Sequence, residues 1–315
     1  MCCLFGLVDH HHATPPRRKS QILHALAAES EARGTDATGI AYNKNSGLTI
    51  YKRPIAGHKM RFYLPNETSV IMGHTRMTTG GSPKRNANNH PFSGHTKDGS
   101  FALAHNGILY NDYELRLNHA LPKSSIETDS YVMAQLIEQA GELSFATLSA
   151  ISEELFGPFT FSMLDDRDNL WFIRGDNPLE LRHYTDNDVY LYLYASTAEI
   201  LDKAIARLPF NLGAYRKIEV KSGEIVRLSK DGSIRRAHFV PQAVPSVYAP
   251  YFGGYSSWKQ TSYSNASDYE GDYVAALMSE AERSGLYAGI VEEMMRDGYT
   301  PEEIEDFIYC GSCYQ

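Results

Sequence analysis

The residue in this chain best equipped for chemistry is Cys2. The chain opens Met1-Cys2-Cys3-Leu4-Phe5-Gly6-Leu7-Val8. Initiator methionine is commonly trimmed before a small residue such as Cys, and trimming leaves one residue carrying both a thiol and a free α-amine. A thiol has an ordinary pKa of about 8.5 and an α-amine one of about 7.7–8.0. The amine can therefore take the thiol proton near neutral pH without a separate histidine. The competing reading is a hydrophobic first strand that happens to contain two buried cysteines.

Four further segments carry residues that an amide-cleaving thiol would need. Gly73-His74-Thr75-Arg76-Met77-Thr78-Thr79-Gly80-Gly81 places an arginine at a strand end before a glycine-closed loop. A guanidinium there can grip a carboxylate in two-point fashion, or simply pair with a surface acid. Asn86-Ala87-Asn88-Asn89-His90-Pro91-Phe92 is a polar turn stiffened by Pro91. In His105-Asn106-Gly107 the Asn amide and the Gly N–H can form an oxyanion hole, although Asn-Gly is also a hairpin signal. Glu127-Thr128-Asp129-Ser130 reads as the opening of a helix, with Asp129 either functional or an acid favoured by the helix dipole.

The elements that would position these groups follow from periodicity. Residues 2–8 read as a buried strand, and Ser20–Arg33 as a helix with apolar positions 22, 23, 26 and 27. Strands are expected at Thr38–Asn43, Leu48–Arg53 around an Asn45-Ser46-Gly47 turn, Ser69–His74 and Phe101–His105. Helices are expected at Thr128–Gln139 and Phe145–Leu155. Residues 157–235 read as largely strand, including Phe159–Leu164, Leu170–Arg174 and Val189–Ala195, interrupted by a helix near 197–207. Antiparallel strands with grouped helices, rather than regular βαβ alternation, define an α+β class.

Composition narrows the function classes. The 315 residues are 43% hydrophobic, ordinary for a globular core. No run of 18 apolar residues predicts a membrane span. Four cysteines make no disulfide framework, so a cytoplasmic setting fits best. From position 241 onward there are 12 acidic and 3 basic side chains, so the net charge of −8 belongs to the tail. No basic cluster suggests nucleic acid.

Taken together and in order, these segments resemble the class II glutamine amidotransferases, which are N-terminal-nucleophile hydrolases. The family opening Met-Cys-Gly-Ile-Phe-Gly is matched by Met1–Gly6, and its Arg-Gly-x-Asp-x-x-Gly motif by Arg33-Gly34-Thr35-Asp36-Ala37-Thr38-Gly39. The His-Thr-Arg loop, the Asn-x-x-His-Pro-type turn, His-Asn-Gly-Ile and Glu-Thr-Asp follow in family order. The resemblance implies a four-layer αββα sandwich over roughly residues 2–240. It implies Cys2 as nucleophile with its own amine as base, and an oxyanion hole from Asn106 and Gly107. It implies that Arg76 holds the α-carboxylate of L-glutamine and Asp129 its α-ammonium, with Thr79 and His90 lining the pocket. The thiolate would attack the side-chain amide, release ammonia, and leave a γ-glutamyl thioester for water to hydrolyse. No cofactor or metal is implied.

The sequence departs from the family pattern at three places. Cys3 replaces Gly, and strand alternation should turn it to the opposite face, buried. Met77 stands where the family often has an aromatic, and Gly80 where it often has His.

Residues 241–267 read as a Pro/Ser/Tyr-rich linker, or an ordered aromatic extension, and 268–315 as an acidic helical tail with a Thr300-Pro301-Glu302-Glu303 capping box. The 75 residues after position 240 hold no phosphate loop, so the ammonia acceptor is expected on a separate synthase or ligase. The tail reads either as a docking element for that partner or as a solvated cap. Two other functions stay open: an amidohydrolase of the same fold acting on a γ-glutamyl or other amide, and a non-catalytic binding protein. Cys310-Gly311-Ser312-Cys313 and His10-His11-His12 are expected to be free thiols and a solvated loop, rather than metal ligands.

Overall fold

A computed structural model describes residues 2–44, 47–185 and 190–242, together with 278, 281, 287, 289–297 and 304. The chain divides into two units, residues 1–244 and 245–315.

The first unit begins with β1 (Cys3–Asp9), α1 (Pro16–Ser30), β2 (Ala37–Lys44), β3 (Gly47–Arg53) and β4 (Val70–Arg76). β5 (Phe92–Thr96), β6 (Gly99–Gly107), α2 (Asp112–Asn118), α3 (Tyr131–Ala140) and α4 (Phe145–Glu154) follow. The chain then forms β7 (Phe159–Asp165), β8 (Leu170–Arg174), β9 (Glu180–Tyr184) and β10 (Leu191–Ala195). α5 (Ala198–Ala206), β11 (Tyr215–Ile218), β12 (Glu224–Leu228) and β13 (Ile234–His238) complete it.

Two sheets result, of order β11-β9-β10-β1-β4-β2-β3 and β13-β12-β8-β7-β6-β5. Every pairing within them is antiparallel. Three apolar layers alternate with the elements. Ile22, Leu23 and Leu26 of α1 and Ile200, Leu201 and Ala204 of α5 cover Phe5, Leu7, Ile71 and Leu193 of the first sheet. Leu4, Val8, Val70 and Met72 meet Ala102, Ala104, Leu164 and Phe172 between the sheets. Val132, Ile137, Leu148 and Ile151 of α3 and α4 cover Phe101, Leu103, Phe161 and Trp171 of the second. The architecture is the four-layer αββα sandwich of an α+β fold.

Period-two alternation in β1 explains how one strand serves two layers. Cys3, Phe5 and Leu7 face the helices, whereas Leu4 and Val8 face the second sheet. Cys3 is fully buried on the helix side, as alternation requires.

Several local expectations shift. The first helix starts earlier because Pro16 occupies its first turn, and Glu31–Arg33 form a separate 3-10 turn. Asn106-Gly107 is no hairpin, because β6 runs through both residues. Glu127-Thr128-Asp129 does not open a helix either; α3 starts at Tyr131 and has no acid in its first turn. The Asn45-Ser46 pair lies outside the described residues.

In the second unit, α6 (Gly289–Arg296) buries Val291 in a small cluster with Ala281 and Ile304, joined by Met278, Ile290, Met294 and Met295. Nearly all of the expected linker at 241–267, the Thr300–Glu303 capping box and Cys310/Cys313 lie outside the described residues.

The far end of β1 is secured by a buried ion pair. Asp9 is 3.5 Å from Lys19 Nζ, both side chains at most 1% exposed. The Asp9 carboxylate also accepts from the Ala13 and Thr14 N–H groups, and Lys19 donates to Thr68 O. Leaving one buried charge unpaired costs about 3–5 kcal/mol. Lys19→Met should therefore lower urea-derived stability by about that amount, whereas Lys203→Ala, which breaks an exposed pair with Glu199, should change it by about 0.5 kcal/mol or less.

Candidate active site

Cys2 lies immediately before the central strand of the first sheet, and is 8% exposed. Its Sγ lies 3.4 Å from Met77 O. Burial pushes the Cys2 thiol pKa up, while hydrogen bonding to the Met77 backbone, the chain's amino-terminal charge and the Arg76 guanidinium pull it back. Asp129 acts in the raising direction. The thiol, the arginine and the acid thus share one electrostatic neighbourhood.

Arg33 fixes both the nucleophile's backbone and the nearby amide. Its Nε donates to Cys2 O at 2.9 Å, and one Nη donates to Asn106 Oδ1 at 3.2 Å. An arginine has only donors, so this contact assigns the Asn106 oxygen. Asn106 Nδ2 then donates to Ser196 Oγ at 3.2 Å, and that oxygen also accepts from Leu4 N at 2.9 Å. Asn177 Nδ2 holds the Asn106 carbonyl at 2.8 Å.

Gly107 follows with φ +148°, and a Cβ there would sit 2.0 Å from Pro158 O. Only glycine fits this close approach at a positive φ.

The rest of the Arg33-Gly34-Thr35-Asp36 motif secures the loop after β4. A Cβ on Gly34 would lie 2.4–2.6 Å from backbone atoms of Arg76 and Met77, so Gly34 lets that loop pack directly on the chain. Asp36 N donates to Arg76 O at 3.0 Å, and Asp36 Oδ2 accepts from Thr78 N at 2.7 Å.

The Arg76 side chain is buried, and three of its five N–H donors hold it in place. Nη1 donates to Asn89 Oδ1 at 2.7 Å, and Nη2 to Gly81 O at 2.9 Å and to Gly80 O. Burial lowers its pKa, opposed by the nearby Cys2, Asp36, Asp129 and Glu127. Thr79 is exposed in the same loop, as is Met77.

The Asn-rich turn braces both Arg76 and the Glu127 segment. Asn89 carries Arg76, and Asn88 exchanges two hydrogen bonds with Glu127: Nδ2 to Oε2 at 2.8 Å, and Glu127 N to Oδ1 at 3.0 Å. Lys52 Nζ reaches under the turn to Asn89 O and, at 3.0 Å, Pro91 O. Burial, with help from Arg76, lowers its pKa to about 8.

Asp129 precedes α3 in a non-helical segment. Its Oδ2 accepts from Leu109 N at 2.7 Å and its Oδ1 from Ser130 Oγ at 3.1 Å. Burial raises its pKa against those donors.

Behind the site lie three buried imidazoles. His74 and His90 have ring centroids 4.2 Å apart, and His105 stacks on Phe161 at 4.3 Å. Burial lowers His74 and His105 to about 3, and His90 well below its ordinary value. Among the described residues, no group of three His, Cys, Asp or Glu side chains is placed to hold a metal.

Sequence reasoning named Cys2, Arg76, Asn106, Gly107 and Asp129, and the fold gathers them through the contacts above. It gave no role to Arg33, Asn88, Asn89, Ser130 or Ser196. The first four stand within quoted motifs, so their positions were visible although their partners were not. Ser196 directly follows β10, 194 residues from Cys2, and nothing local marks it.

Residues 74–203 match the glutamine amidotransferase domain family, a stretch that contains Arg76, Asn106, Gly107 and Asp129. The chain is 30% identical over 272 residues to glutamine–fructose-6-phosphate aminotransferase (isomerizing) of Staphylococcus aureus, covering 80% of this chain and 42% of that protein. The Staphylococcus epidermidis protein of the same name is 29% identical over 188 residues, covering 57% of this chain and 30% of its own. In fold, the chain is similar to glutamine phosphoribosylpyrophosphate amidotransferase from B. subtilis, with TM-score 0.59, 20% identity, and coverage of 91% of this chain and 59% of that one. The chain carries a glutamine amidotransferase domain, matched by the family over residues 74–203. It spans less than half the length of those curated relatives.

The histidine cluster has a pH consequence. Each ring stays neutral in the folded protein, whereas the unfolded chain takes up a proton near pH 6.5. The unfolded state therefore binds more protons below that pH, and stability contributed by the buried rings falls as pH drops from about 6.5. Histidine NMR titration should show the His74, His90 and His105 rings without a protonation step between pH 8 and 5.

Proposed function

We propose that this chain is the glutamine-hydrolysing component of a glutamine-dependent amidotransferase, passing ammonia to an acceptor-binding synthase or ligase on a separate protein. The observation that carries this reading is the convergence of Cys2, Arg76, Asn106 and Asp129: Arg33 bridges Cys2 and Asn106, and both Arg76 and Asp129 act electrostatically on the Cys2 thiol.

Each group has a defined task. With Met1 removed, the Cys2 amine takes the thiol proton, and the thiolate attacks the glutamine side-chain amide. Arg76 holds the α-carboxylate, and Asp129 the α-ammonium. Asn106 has spent its oxygen on Arg33 and one amide hydrogen on Ser196, so its second hydrogen meets the developing oxyanion with the Gly107 N–H. The ammonium formed from the Cys2 amine protonates the leaving nitrogen as the C–N bond breaks. Water then cleaves the γ-glutamyl thioester and returns the thiol. Thr79, exposed on the Arg76 loop, lines the entrance.

The acceptor's chemistry lies with the partner. The names of the relatives point to a phosphorylated sugar as the class of acceptor.

A substrate panel with purified protein tests the reading. Free glutamine should give the highest kcat/KM, Cys2→Ala should abolish turnover, and Asn106→Ala should lower kcat by about 10²–10³-fold with little change in KM. Faster hydrolysis of another amide than of glutamine would replace this reading with a stand-alone amidohydrolase. No turnover of any amide by a protein with Met1 removed would favour a binding role.

A further inference from the structure

Asp129 owes its orientation to its neighbours in space, because it lies outside any helix. Leu109 N–H holds Oδ2 and the Ser130 hydroxyl holds Oδ1. The same Ser130 oxygen lies 2.8 Å from His105 Nδ1. Its single proton is committed to the carboxylate, so the oxygen must accept from the imidazole, and His105 is the Nδ1–H tautomer. The ring's plane is set in turn by stacking on Phe161, with 13° between the planes. A chain of donors thus runs from His105 through Ser130 to Asp129. Ser130 and His105 are 3% and 1% exposed, whereas the Asp129 side chain keeps 18%. Only the acid is open to a ligand.

We propose that His105 and Ser130 form a positioning relay that fixes the Asp129 carboxylate to receive the substrate α-ammonium, and so selects α-amino-acid amides over simple amides. The proposal rests on the reading above in which Asp129 contacts that ammonium. Neither relay residue touches substrate. A carboxylate holding one donor on each oxygen cannot rotate about its Cβ–Cγ bond without losing both, so its remaining lone pairs keep a fixed direction. The Ser130 donor also counters the burial that raises the Asp129 pKa, which keeps the carboxylate charged for an ammonium. Asp112, Arg76 and Cys2 are the other titratable groups whose electrostatics couple to Asp129.

The test compares glutamine with glutaramate, the same amide lacking the α-amino group, on the full chain. Wild type should prefer glutamine. Ser130→Ala should cut kcat/KM for glutamine by about 10–100-fold, the weight of one hydrogen bond to a charged group, through KM rather than kcat. Glutaramate kinetics should not change. The acid limb of 1/KM for glutamine should also move to higher pH, because Asp129 loses a donor. Ser130→Thr, which keeps a hydroxyl, should restore the preference. His105→Phe, which keeps the stack and removes the donor, should lose part of it.

An equal loss for both substrates, or no loss for glutamine, in Ser130→Ala would overturn the relay. If that variant fails to fold, the contrast between Ser130→Thr and His105→Phe decides in the same way. A wild type without preference, or a preference that survives Asp129→Asn, would instead remove the underlying assignment of Asp129.

Discussion

Pairing of β1 along both of its edges is the constraint that places the nucleophile. β4 binds one edge in the register Cys3↔Thr75, and β10 binds the other in the register Phe5↔Ala195. Helices cover one face and the second sheet covers the other, so the strand cannot slide by one residue without turning Phe5 and Leu7 into the wrong layer. The same register sets β4 to end at Arg76 and β10 to end just before Ser196, both beside the start of β1. A chain terminus is ordinarily frayed and wet. Here Cys2, the terminus of the proposed mature chain, is buried and held through its carbonyl by Arg33. That is the condition under which an α-amine can act as a positioned base.

Burial shapes the electrostatics of the site in two ways. It raises the pKa of Cys2 and Asp129 and lowers those of Arg76, Lys52 and the three histidines, because each charged form loses hydration. The histidines respond by remaining neutral, so the positive charge near the nucleophile comes from Arg33, Arg76 and Lys52. Arg76 in turn is anchored by backbone carbonyls and the Asn89 amide, none of which neutralises it. A guanidinium held in place by uncharged acceptors keeps its charge for a substrate carboxylate. Preorganisation of this kind, with donors already fixed and water largely excluded, is the source of most electrostatic catalysis.

Much of this was legible in the sequence where chemistry and spacing coincide. Cys2 is read from its place beside the initiator Met, and the buried face of Cys3 from simple alternation along β1. The order of the six motifs points to the family and, through it, to the αββα layers. Three features were read differently from their local sequence. Asn106-Gly107 carries a hairpin signal, yet β6 continues through it because β7 pairs with it as far as Phe159. Asp129 looks like a helix-opening acid, but its hydrogen bonds to Leu109 and Ser130 draw it out of the helical path. Ser130, Ser196 and the Asn88–Glu127 clamp act through partners distant in sequence, which periodicity and composition do not encode. α2 escaped notice because only Leu115 of its seven residues is buried, too little for a helical stripe.

The central claim is that the residue following Met1 becomes a free-amine nucleophile that acts on glutamine. Its most direct test is intact mass after incubation with the electrophilic glutamine analogue 6-diazo-5-oxonorleucine, comparing wild type with Cys2→Ala. The account predicts a chain lacking Met1 with a single adduct on Cys2, prevented by excess glutamine and absent in the variant. A chain that retains Met1, or an adduct that forms equally in the variant, would contradict it.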